Sequence, residues 1–380
     1  MTKLLLPLIV LFPTLALAAA PKVTAIRCPD GGVQPQAAVD SGGKLHLIYL
    51  KGDDGMSDIF YITSTDNAQT WTKPLRVNSQ GGAAIATGTV RGAHLAIGKG
   101  NRPHVAWMGS MNAEPKAPND STPMLYTRLN DAGDAFEPQR NVITTAPGLD
   151  GGGSIAADST GGVYIAWHAP MPGQKGEQNR SVWLTYSAND GKTFDKEMSI
   201  LSQPTGVCGC CGMRLFVDGS DQVVALFRSA NDRTRDMYLL GSRKLFSFTP
   251  TKLQEWPSKT CPMSTSAITR TGKTTLAAWE TEGQVYFSPI TSDLKPGEPV
   301  AAPGKGTSRK HPTLAIDKEG YILLAWDEGT GWKKGGSLAW QVYDPSLKPV
   351  AGASGAQRGV AVWSLGSAFA KPDGGFVIVY

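Results

Sequence analysis

Apolar and polar residues alternate or fall in short apolar runs along most of the chain, and no stretch holds the three-to-four spacing of an amphipathic helix. One unit recurs: a short strand, a turn carrying Asp or Gly, then a second apolar strand ending in an aromatic. It reads PQAAVDSGGKLHLIY up to Tyr49, RGAHLAIGKGNRPHVAW up to Trp107, GSIAADSTGGVYIAW up to Trp167 and MRLFVDGSDQVVALF up to Phe227. It continues as MSTSAITRTGKTTLAAW up to Trp279, HPTLAIDKEGYILLAW up to Trp326 and SAFAKPDGGFVIVY up to Tyr380. The closing aromatics lie 58, 60, 60, 52, 47 and 54 residues apart. That spacing suits one four-stranded sheet per unit, arranged as the blades of a β-propeller.

Two further strands fit between successive units, such as SDIFYITS and WTKPLRVN after the first. The seventh copy has no chain left for outer strands. The segment KVTAIR near the N-terminus is expected to supply one, which closes the ring and removes a free sheet edge. The expectation is an all-β, seven-bladed propeller, with six blades as the alternative. Composition agrees: 44 Gly, 26 Pro and ten Trp are what many short strands and tight turns require.

The first residues, MTKLLLPLIVLFPTLALAAAPKV, place one cation before an apolar run and an Ala16-Leu17-Ala18 step, the layout of a signal peptide over 1–18. Residues 19–380 then form a single exported domain, secreted or periplasmic, with no membrane span. With Lys3 removed, the 37 basic residues become 36 against 32 acidic, a net charge of +4. So small a surplus, without a basic cluster, argues against a nucleic-acid partner. Oligomeric state is not written in the sequence.

The turns between third and fourth strands are related: STDNAQTW (64–71), LNDAGDAF (129–136) and SANDGKTF (187–194). An Asp or Asn side chain closes such a turn on backbone amides, Gly allows positive φ, and the Thr and aromatic pin the hairpin. The pattern S-x-D-x-G-x-T-W/F resembles the Asp box, or BNR repeat, of the sialidase superfamily of propellers. It assigns Asp66, Asp131 and Asn189 to structural turns on one face. Loops entering each first strand and leaving each second strand gather at the other face, around the channel mouth, where a glycan or other small ligand is expected.

The resemblance implies a sialidase site: three arginines on a carboxylate, a Tyr nucleophile assisted by Glu, and an Asp acid/base. By position Asp53 or Asp54 takes the acid/base role and Glu280 the partner of a nucleophile. Arg91, Arg214 and Arg228 are candidates for anion binding, with His168 and Asp327 beside them. The family's first arginine is replaced by Val33; Arg27-Cys28-Pro29 keeps the R-x-P spacing, but the extra residues before the strand argue against its being a displaced version. No tyrosine declares itself, so binding or exo-glycosidase hydrolysis of a glycan is one reading. Among other residues, His46, His94 and His104 are expected to pack, and Trp332 to stack on a sugar.

The second reading is carried by GVCGCCGMRLF, with Cys208, Cys210 and Cys211 in four residues, and by Cys261-Pro262-Met263 at the matching position of the next blade. In an exported chain a disulfide joining blades four and five comes first. Cys28 and Cys261 are then the relaxed partners, and one thiol is left over. A soft-metal site of Cys208, Cys210, Cys211, Cys261, Met213 and Met263 is the competing arrangement, suiting copper(I) first and zinc second. A strained redox disulfide between Cys210 and Cys211 is a third.

Overall fold

The computed structural model describes residues 20–217, 222–242, 247–305 and 308–380. The signal-peptide segment falls outside the described residues. Among those described, no helix is long and apolar enough to cross a membrane.

Seven sheets form the fold, six of them antiparallel and following one another in chain order, the seventh joining the two ends of the chain. Blade one is Val33–Val39, Leu45–Asp53, Met56–Ser64 and Leu75–Arg76. Blade two has inner strands His94–Ile97 and Pro103–Met108, and blade three Gly153–Ala157 and Val163–Pro170. Blade four begins with Arg214–Val217 and Val223–Arg228, blade five with Ala267–Thr271 and Thr274–Thr281. Blade six begins with Arg309–Ile316 and Ile322–Glu328. Blade seven holds Ser367–Ala370 and Phe376–Val379, and its third strand is the N-terminal Val23–Ile26, paired parallel to Phe376–Val379. Six blades are four-stranded and the closing blade three-stranded, so the ring has seven members and shuts through its N-terminal strand as the pattern predicts.

The repeated aromatic has a mechanical reason. Alternate side chains of a strand face opposite sides. Ile165, Trp167 and Ala169 therefore pack against blade two, while Tyr164 and Ala166 pack against blade four. The buried indoles then need an acceptor: Trp107 donates Nε1 to the Ala83 carbonyl and Trp167 to that of Ala146, both in the segment that leaves the preceding blade. Trp279 reaches back likewise to Gln254 Oε1 at 2.6 Å.

The turns on the far face close as their residue types require. Asp66 Oδ1 accepts the amides of Gln69 (3.1 Å) and Thr70 (2.9 Å), and Asn189 Oδ1 accepts that of Thr193 (3.0 Å). In the middle turn this bond belongs to Asn130, which accepts the Asp134 amide at 3.2 Å. Asp131 pairs instead with Arg102 at 2.6 Å; this turn carries Leu129 and Ala135 where the other two carry Ser and Thr.

Closure also settles Arg27. Its guanidinium lies 4.5 Å over the Tyr380 ring and donates to the Arg358 and Gly359 carbonyls of blade six. It secures the seam between the last blades and is not a displaced mouth arginine.

Candidate functional site

Six first strands carry a polar residue at the same register, Gln36, His94, Ser154, Arg214, Thr313 and Ser367, while blade five has Ala267 there with Ser266 just before its strand. Adjacent blades are laced at this level. The Leu215 amide donates to Ser154 Oγ, that of Ala37 to Ser367 Oγ and that of Ala368 to Thr313 Oγ1. Arg214 spans the ring, donating to Gln36 Oε1 at 3.1 Å and the Ser266 carbonyl at 3.3 Å, with His94 Nδ1 3.4 Å away. Burial lowers its guanidinium to about 10, still charged at neutral pH. His94 joins this belt rather than an apolar core. Below it runs a cavity of about 530 Å³, walled by the first strands from Gln36 to Val39 and from Arg214 to Val217.

Above the belt the loops form the mouth. On one side, Arg91 holds Asp150 through Nε on its carbonyl (3.0 Å) and Nη2 on its carboxylate (3.2 Å), and Arg180 approaches the same carboxylate at 3.5 Å. His168 is buried beneath, its Nε2 accepting the Gly151 amide at 3.3 Å. Burial, then the charge of Arg180, pulls it down to about 3, so it is neutral. Arg228 and Glu280 are both buried and lie 3.5 Å apart; Arg228 also donates to the Glu280 and Arg235 carbonyls. Burial raises the Glu280 carboxyl although Arg228 opposes it. Asp327 is fully buried, with the Gly366 amide facing its carboxyl. Burial drives its carboxyl well above the usual range, the Gly366 amide pulling the other way.

Trp332 reaches over to Gly88, which the Arg91 guanidinium also approaches; it stands 58% exposed and meets Trp363 edge-on, with ring centres 4.7 Å apart at 77°. Trp363 donates Nε1 to Asp54 at 3.0 Å, so Asp54 orients this aromatic pair. Lys310, Lys334, Thr330, Met263 and His311 line the cleft beneath Trp332, which encloses about 30 Å³. Asp53 is exposed, with Oδ1 accepting the Gly55 amide.

The same architecture is found among sugar-cleaving propellers. A Penicillium chrysogenum α-L-arabinanase complexed with arabinobiose superposes with a TM-score of 0.54 at 13% identity, over 83% of this chain and 94% of that one. A Trypanosoma rangeli sialidase in complex with the inhibitor DANA gives 0.51 at 12%, over 79% of this chain and 53% of that one. A protein of unknown function from Dyadobacter fermentans gives 0.54 at 15%, over 87% and 94%. No family model and no curated protein sequence matches the chain. The fold is shared with sialidases and arabinanases.

The cysteines occupy the remaining sector. Cys210 and Cys261 form a disulfide, which ties the loop before blade four to the loop before blade five. Cys208 is buried with its Sγ 3.7 Å from that of Cys261 and 4.0 Å from that of Cys210, and its thiol hydrogen-bonds Cys211. Burial pushes the Cys211 thiol up, but the Cys208 hydrogen bond and the Arg228 charge outweigh it and bring it down to about 7. Cys28 takes no part: it is buried with Leu45, Tyr49 and Val379 at the ring seam. Its expected partnership fails because the closing strand carries it to blade seven. Nor do Cys210 and Cys211 pair with each other. Met213 packs with Val207, Leu215 and Phe227, and Met263 faces the Trp332 cleft.

The sequence missed Asp150, Arg180, Glu177 and Arg235. Stacking the seven units in register would have exposed the channel belt; the ion pairs left no such signal, since their partners come from loops of unequal length.

Proposed function

We propose that this chain is an exported glycan-binding propeller whose mouth holds a sugar without cleaving it. The carrying observation is the Trp332–Trp363–Asp54 arrangement beside Lys310 and Lys334. An exposed indole fixed at its edge by a second indole offers a flat apolar face to a sugar ring. Two ammonium groups, with no carboxylate among the described lining residues, favour a sugar bearing negative charge. The shared fold with proteins named for arabinan and sialic acid supplies the sugar classes to test. Export rests on the composition of residues 1–18.

Binding is preferred to turnover because the candidate groups are engaged elsewhere. Arg91 is held by Asp150, Arg214 by the channel belt and Arg228 by Glu280, so no free trio of arginines meets a carboxylate. Asp54 is occupied by Trp363. Pockets that enclose a ligand run from roughly 300 Å³ upward, far above the 30 Å³ of the mouth cleft. A glycan would lie across Trp332, not inside.

Calorimetry with sialyllactose and with arabino-oligosaccharides should show binding that Trp332→Ala weakens by about tenfold or more. No binding to either class removes the proposal. Release of the fluorophore from a sialoside or an arabinofuranoside, abolished by Asp54→Asn, would replace it with the hydrolytic reading.

A further inference from the structure

Four of the five cysteines converge on a patch that the sugar reading does not use. Cys208, Cys210 and Cys211 arrive on the loop 206–212 and Cys261 on the loop before blade five. We propose that Cys208, Cys210 and Cys261, with Cys211 beside them, form a thiolate site for a soft metal ion, copper(I) or zinc(II), which the Cys210–Cys261 disulfide locks and reduction opens.

The spacing carries the argument. Metal–sulfur bonds of about 2.3 Å set sulfurs roughly 3.8 Å apart around a tetrahedral ion, and roughly 4.0 Å apart around a trigonal one. Cys208 already stands 3.7 Å from Cys261 and 4.0 Å from Cys210. All three sulfurs lie within 4.8 Å of one another. Cys211 is buried beside them but stands outside this group of three sulfurs. The one edge too short for a bound ion is the disulfide itself.

The two loops stay together when that bond opens. The Gly212 amide donates to the Ser264 carbonyl at 3.0 Å, directly joining the cysteine loop to the segment after Cys261. The Cys208 amide donates to the Arg228 carbonyl at 2.9 Å, and the Gly209 amide to Glu177 Oε1 at 2.9 Å. Glu177 is itself held by Arg235 at 3.1 Å. A Cβ on Gly209 would meet the Arg180 guanidinium, which packs directly against the loop. Gly206, at φ +61, turns the chain into the loop. The sulfur positions are thus fixed by backbone bonds that do not depend on the disulfide.

The Arg228 guanidinium offsets the negative charge that several thiolates bring. Opening is an ordinary exchange: a dithiol donor gives two electrons and two protons to the Cys210–Cys261 bond, leaves as its own disulfide, and yields two thiols. Metal entry then releases the thiol protons.

The test uses the full chain in two states, oxidised as isolated and reduced by a phosphine that is then removed. Zinc(II) and copper(I) are each titrated alone, in competition with a chromophoric chelator. The reduced chain should take one equivalent of a soft ion and the oxidised chain none. Cys208→Ser should lower affinity by about 100-fold or more, and Cys28→Ser should leave it unchanged. Equal uptake by both states, no uptake by the reduced chain, or equal losses in Cys28→Ser and Cys208→Ser would each overturn the proposal. Should Cys208→Ser not fold, X-ray absorption on the reduced, loaded wild type decides directly. Three or four sulfurs at about 2.3 Å support the site, and a nitrogen and oxygen shell ends it.

Discussion

Asp66 and Asp327 sit on opposite faces of the ring and are shifted in opposite directions. Asp66, exposed on the far face, accepts the hydroxyl and amide of Thr70 and the hydroxyl of Ser64, and these hold it down at about 2. Asp327, sealed at the end of a second strand near the mouth, is driven upward by burial. Asp66 is satisfied within its own hairpin; the mouth satisfies charge between blades, as in Arg91–Asp150 and Arg228–Glu280, or leaves it buried. On the far face Asp190 is also paired across blades, with Arg102 at 2.8 Å and Arg128 at 2.9 Å. A local bond survives wherever its hairpin folds. A bond between blades exists only once neighbouring blades are assembled, so charge and assembly are coupled at the mouth and at Asp190, but not at Asp66.

The sharpest way to break that contrast is Arg228→Met. It strands the buried Glu280, and losing one partner of a buried pair costs about 3–5 kcal/mol. Urea unfolding should show this loss, and the double variant Arg228→Met with Glu280→Leu should recover most of it. A loss under about 1 kcal/mol would put the pair on the same footing as an exposed one.

Next in size is Asp327→Asn. Above pH about 4 the unfolded chain gives up this proton while the folded chain keeps it. The wild type therefore loses about 1.4 kcal/mol of stability per pH unit until its folded pKa is reached. The variant should match the wild type near pH 4 and exceed it progressively above that in thermal unfolding. A difference that stays flat between pH 4 and 8 contradicts the buried, protonated carboxyl.

This split between local and inter-blade bonds also explains what could be read in advance. The blades were legible because each closing aromatic solves the same problem, a buried ring facing the preceding blade, at the same place in every unit. The far-face turns were legible for a similar reason, save that the middle turn, with Leu129 and Ala135 in place of Ser and Thr, closes on Asn130 and not on Asp131. The mouth was not, because its partners come from different blades. Arg214 reads in sequence as a spare arginine for an anion, yet its register sends it across the channel to Gln36. Cys28 reads as a disulfide partner until the N-terminal strand carries it to the ring seam. The convergence of Cys208, Cys210, Cys211 and Cys261 followed from the matching positions of two adjacent units; which pair bonds did not.

The smallest effect tests the far face against itself. Asp66 and Asn189 occupy equivalent positions and accept the amides of Thr70 and Thr193 in the same way, but only Asp66 titrates. Its lowered pKa means that its contribution is complete above pH about 4 and is lost as pH falls through about 2. Amide exchange, corrected for its intrinsic pH dependence, should therefore show Thr70 losing protection between pH 4 and 2 while Thr193 keeps its own. Parallel loss at both amides would mean that acid loosens whole blades rather than one hairpin. The Asp66 hairpin would then be as dependent on assembly as the mouth.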